Sequence, residues 1–112
     1  MQLEKYMRDG VTVIALDGDL DSHSAPEVHN RLGELIPSGG SMLLDLRRLN
    51  YMSSAGLRVL LLVYRRARQD GVKLALSAIP DEVRAIMAAT GFLDAFIVTD
   101  TVADGVEALV AA

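Results

Sequence analysis

Residues 42–46, Met-Leu-Leu-Asp-Leu, are apolar at every position but one. A strand with almost no polar face has to be covered on both sides, which is the condition of a strand inside a largely parallel sheet flanked by helices. The run leads through a polar turn to Tyr51-Met52-Ser53-Ser54 and then into an apolar-rich helical segment reaching Tyr64. Strand, loop and helix start therefore follow one another directly, with two serines where the first helical N–H groups lack partners. A serine there can cap the helix, and it can also carry a phosphate, because the helix dipole and the free N–H groups stabilise negative charge at that end.

The remaining segments fit around this unit. Leu3 to Met7 and Val11 to Leu16 read as paired strands, since Asp9-Gly10 between them is a strong hairpin signal. Asp17-Gly18-Asp19 is expected to end the second strand. Ser24 before Ala25-Pro26 predicts a capped helix from about Pro26 to Ile36, burying Val28, Leu32, Leu35 and Ile36. The helix after Ser54 should end near Gly71, and Val72 to Ser77 reads as a strand. Pro80-Asp81-Glu82 opens a further helix with Val83, Ile86 and Met87 inward, stopping at Gly91. Ala95 to Val98 predicts a last short strand, and Asp100 is expected to cap a terminal helix bearing Val102, Val106, Leu109 and Val110.

Alternation of this kind predicts one α/β domain over residues 1–112, with a mixed, mostly parallel sheet of about five strands, about four helices and an opening β-hairpin. A chain of 112 residues with 51% hydrophobic composition can fill one core. The formal charge of -4 and 4% aromatic content argue against direct nucleic-acid binding, which needs a basic surface and stacking rings. Without cysteine there is no disulfide, thiol nucleophile or thiolate metal site. The longest apolar run, Val59 to Tyr64, is far short of the roughly 20 residues that cross a bilayer. The first residues lack the basic flank and apolar core of a signal peptide, so no membrane association and a cytoplasmic location are expected.

No enzymatic constellation emerges. The Gly-x-Ser-x-Gly elbow is absent, and His23 and His29, the two histidines, fall in a loop and a helix with nothing to orient them as bases. No metal ligand set or cofactor motif is found. Arg65, Arg66 and Arg68 suit a solvated helix face. On that helix Leu57, Leu60, Val63, Tyr64 and Ala67 cluster on one side at 100° per residue and are assigned to the core, whereas Leu62 falls opposite, among Arg58, Arg65, Arg66 and Gln69.

In combination, Gly18-Asp19-Leu20-Asp21, Leu44-Asp45-Leu46 followed by Leu49, Tyr51-Met52-Ser53-Ser54-Ala55-Gly56-Leu57, and Gly91-Phe92 resemble the STAS domain of bacterial anti-sigma factor antagonists over essentially the whole chain. The resemblance implies a partner-switching regulator with no turnover of its own and no cofactor. The unphosphorylated form would bind an anti-sigma factor that is also a serine kinase, phosphorylation at Ser54 would end the binding, and a serine phosphatase would reset it. The family commonly has aspartate before the acceptor, where this chain has Ser53. Asp21 matches the family's acidic loop residue near the kinase. The expected partner surface comprises Asp21, Ser53, Ser54, Ala55, Gly56, Arg58 and Leu62, on a chain that is a monomer when free. The competing reading is a non-phosphorylated STAS adaptor subunit in a transport or signalling assembly.

Overall fold

The computed structural model describes residues 1–111. Strand β1, Gln2–Arg8, pairs antiparallel with β2, Val11–Leu20. The turn between them places Asp9 at φ 51° and Gly10 at φ 81°, and two successive left-handed residues give the turn whose twist matches a two-residue hairpin. Helix α1, Ala25–Leu35, then leads to β3, Ser41–Met52; α2, Ser54–Gln69, leads to β4, Lys73–Ser77; and α3, Asp81–Ala89, leads to β5, Ile97–Thr99, before α4, Val102–Ala111. The five strands lie in chain order, with β2 to β5 parallel. The single α/β domain with a mixed sheet and opening hairpin is the architecture read from the sequence.

Right-handed crossovers that step one strand at a time in one direction place their helices on one face of a sheet. The larger core follows from this: Ile14, Leu16, Leu44, Leu46 and Leu76 are buried with Val28 and Leu32 of α1, Leu60 and Val63 of α2, and Met87 of α3. The other face carries α4, whose Val106 and Leu109 pack on Val11, Val13, Leu43 and Ala75. The Met42–Leu46 run thus lies between two helical layers, as its composition requires. Gly105 lets α4 sit this close, since a Cβ there would run into the Leu43 side chain and the Ser77 hydroxyl.

Several boundaries differ from the sequence reading. β2 does not end at Asp17 but continues to Leu20, and β3 continues six residues past Leu46 to Met52. Two irregularities in their pairing, between Ala15 and Asp17 and between Gly18 and Asp19 on β2, each place an extra residue on β3. The bulges break the two-residue alternation by which a strand is recognised, hiding the extension from a pattern reading. Ile86 and Val110 are exposed at 36% and 59% rather than inward. Val83 and Met87, four apart, already fill the narrow buried stripe of α3, and Val106 and Leu109 that of α4. On α2, Val59 is buried alongside Leu57, Leu60, Val63 and Ala67, while Tyr64 is only half-buried against the same core; Leu35 at the end of α1 and Ile36 just after it are likewise half-buried. β5 starts at Ile97, two residues late, because Gly91 at φ 76° opens a 3-10 turn over Phe92–Ala95.

Capping also differs. Thr101, not Asp100, caps α4: its hydroxyl accepts from the Asp104 N–H at 3.0 Å. Ser24 stands at the N-cap position of α1 without a side-chain cap bond. Its hydroxyl instead donates to the Asp19 carbonyl at 2.7 Å and accepts from the Asp21 N–H at 3.1 Å.

Candidate functional site

The site is assembled at the ends of β2 and β3. Leu20 pairs with Met52 across the two strands, and the Ser53 N–H donates to the Leu20 carbonyl at 3.0 Å. This one bond brings the turn after β2 beside the start of α2. Gly56, one turn into the helix, is buried against the same carbonyl; a Cβ there would collide with the carbonyl oxygen and lie 2.8 Å from Leu20 Cγ. Glycine is required here for close approach, not for an unusual φ.

The two serines divide the work. Ser53 is the N-cap, with extended backbone at φ -91° and ψ 176°, and its hydroxyl accepts from the Gly56 N–H at 3.3 Å. Its carbonyl accepts from the Leu57 N–H at 3.0 Å. Of the four helical N–H groups that begin α2, those of Ser54 and Ala55 are left without a partner among the described residues. Ser54 is exposed at the first helical position, and its hydroxyl bonds to no described residue. A phosphate there would meet free N–H groups and the positive end of a sixteen-residue helix.

Asp21 is half-buried in the adjoining turn. Its Oδ1 accepts from the Ser24 and His23 N–H groups, both at 3.0 Å. The Ser24 N–H, chiefly, holds its carboxyl below the usual carboxylate range against the opposing effect of burial, helped by the His23 N–H, the Ser24 hydroxyl and His23 charge. The side chain therefore shapes the turn while its second oxygen stays available.

The other expected contacts separate by burial. Arg58 is exposed; Ala55 is half-buried against the larger core; Gly56, being buried, positions the helix rather than offering surface. Leu62 is half-buried and belongs to neither apolar cluster, with exposed Arg58, Arg65 and Arg66 one turn away on either side. Tyr51 was not singled out from the sequence, yet it is 52% exposed two residues before the cap. The signal was its place beside buried Met52, since neighbouring strand residues face opposite ways.

The STAS domain family model matches residues 2–105. The chain belongs to the STAS domain family. It is 37% identical over 102 residues, covering 90% of this chain and 88% of the relative, to BtrV of Bordetella bronchiseptica, which is named as a candidate anti-sigma factor antagonist. Among solved structures, a STAS anti-sigma factor antagonist domain protein from Planctomyces limnophilus superimposes with a TM-score of 0.86 at 16% identity, covering 96% of this chain and 97% of that one. The anti-sigma factor antagonist SpoIIAA in its unphosphorylated form gives 0.71 at 21% identity, covering 99% and 97%. At such identities these two likenesses concern the fold alone. Within this STAS domain no described helix is long and apolar enough to cross a membrane.

Proposed function

We propose that this STAS protein is an anti-sigma factor antagonist that binds an anti-sigma factor with serine kinase activity while unphosphorylated, and that phosphorylation of Ser54 ends the binding until a serine phosphatase reverses it. The observation that carries the reading is the division of labour at the start of α2: Ser53 is occupied as the cap, and the Ser54 hydroxyl is exposed and unbonded. The fold can thus accept a phosphate without giving up a capping bond. A phosphate adds roughly -1.5 to -2 charges at neutral pH to a surface that docks against a partner, which turns attraction into repulsion. The chain is a ligand and a substrate, with no catalysis of its own. Tyr51, Asp21 and Arg58 near the acceptor, with Leu62 two turns further along α2, make up the contact surface in this reading.

Incubation with the partner kinase and ATP, followed by mass-spectrometric site mapping, tests this. One phosphate at Ser54, absent from Ser54→Ala, is expected. A phosphate at Ser53, or full labelling of Ser54→Ala, refutes the assignment. No phosphate on any serine favours the adaptor reading.

A further inference from the structure

The sheet face that carries α4 is only partly covered by it. Beside α4 lie two cavities of about 250 Å³ and 310 Å³ that share Tyr6, Asp45 and Arg47, and so form one groove. Asp21, Ser53 and Ser54 do not line it. Its floor is β3, the middle strand.

Asp45 is a charged residue only 9% exposed on an open face. Its Oδ1 accepts from the Arg47 N–H at 3.1 Å, at the bulge where β3 departs from register with β2. Its other oxygen bonds to no described residue and is not sealed from the groove. Arg47 is exposed, lines the same cavities, and makes no ion pair with Asp45. Opposite charges that share a groove without closing on each other are complementary to a molecule that carries both. Tyr6, 40% exposed, adds an aromatic face of the kind that attracts a cation. At the rim, Arg48 pairs with Asp17 at 3.9 Å and Asp100 with Arg84 at 3.7 Å; exposed Glu4 and Arg8 each line one of the two cavities, and Asp45 and Arg47 are the charges outside those pairs that both cavities share.

We propose that this groove binds a small zwitterion of amino-acid size, with its ammonium against Asp45 and Tyr6 and its carboxylate against Arg47. The volume is at the lower end for ligand pockets, which suits a molecule of that size. The site lies on the opposite side of the sheet from α2 and does not depend on phosphorylation.

Backbone amide shifts in a ¹⁵N-labelled sample, titrated separately with glycine, 4-aminobutanoate and L-lysine, provide the test, with butylamine and butanoate as single-charge controls. At least one zwitterion is expected to give saturable shifts at Tyr6, Asp45 and Arg47 while Ser54 stays still, and to bind about tenfold or more tightly than either control. Asp45→Asn keeps an oxygen for the Arg47 N–H and so preserves the bulge, but should weaken binding about tenfold; Arg47→Gln, on an exposed position, should erase the advantage over butylamine. The proposal is overturned if none of the three zwitterions saturates, if butylamine binds as tightly as the best of them, or if Asp45→Asn binds unchanged.

Discussion

Replacing Gly56 with alanine sets two effects against each other. In an ordinary helix the change would stabilise the fold, since glycine is about 1 kcal/mol less favourable than alanine in a helix interior. In this structure the new Cβ meets the Leu20 carbonyl oxygen first and lies 2.8 Å from Leu20 Cγ and 3.1 Å from the Leu20 carbonyl carbon. Overpacking by one carbon typically costs about 1–3 kcal/mol. The obstacle is mostly backbone, and that backbone already holds the Ser53 N–H at 3.0 Å. It cannot move aside without losing the bond, so the cost belongs at the upper end of that range. The net expectation is a loss of about 2 kcal/mol, or a fall in Tm of roughly 8–12 °C for a domain of this size. Urea denaturation and a thermal melt measure it, and the same sample should bind the partner less well because Ser53 and Ser54 move with the helix start. A Gly56→Ala protein as stable as the parent or more so would show that α2 does not dock tightly on Leu20, and would remove the basis on which the two halves of the site are joined.

Ser53→Ala should cost about 1 kcal/mol in denaturation because it removes the cap, whereas Ser54→Ala should cost less than about 0.5 kcal/mol; equal costs would mean that the two serines share the capping. Leu62→Ala should weaken partner binding about ten- to a hundredfold, the equivalent of burying a leucine in an interface, with little change in Tm since Leu62 packs in neither apolar cluster; unchanged affinity in calorimetric titration excludes it from the contact. The Asp21 carboxyl is held below its ordinary value in the fold, so its stabilising contribution is present above the ordinary carboxylate range and is lost as pH falls through the lowered folded value. Melts of the parent and Asp21→Asn from neutral to acidic pH should therefore converge as pH falls, and a gap that widens with acid refutes the assignment.

The alternation of strand and helix was legible in the chain because each element declares itself by local means. Asp9-Gly10 supplies two residues that tolerate positive φ, Met42 to Leu46 is too apolar for a one-sided strand, and Leu57, Leu60 and Val63 repeat at helical spacing. The Ser53-Ser54 pair was equally visible, as was its place before a helix. Which serine caps was not, for that depends on the backbone angles at Ser53 and on the Gly56 N–H falling within reach of one hydroxyl. The full length of β2 and β3 was hidden by their bulges, and with it the reach of Asp21 to Ser53, which comes from one long-range bond between Leu20 and Ser53. Gly56 reads in sequence as a weak helical residue and in the fold as the only residue small enough to lie against a neighbouring carbonyl. The groove around Asp45 and Arg47 was likewise out of reach, because they come to line the same cavities as Tyr6 only when a strand from the start of the chain is laid beside the sheet. Local propensity and periodicity act over a few residues, so the sequence determined the elements and their order; the contacts that make a site join residues distant in sequence, and only tertiary packing brings those together.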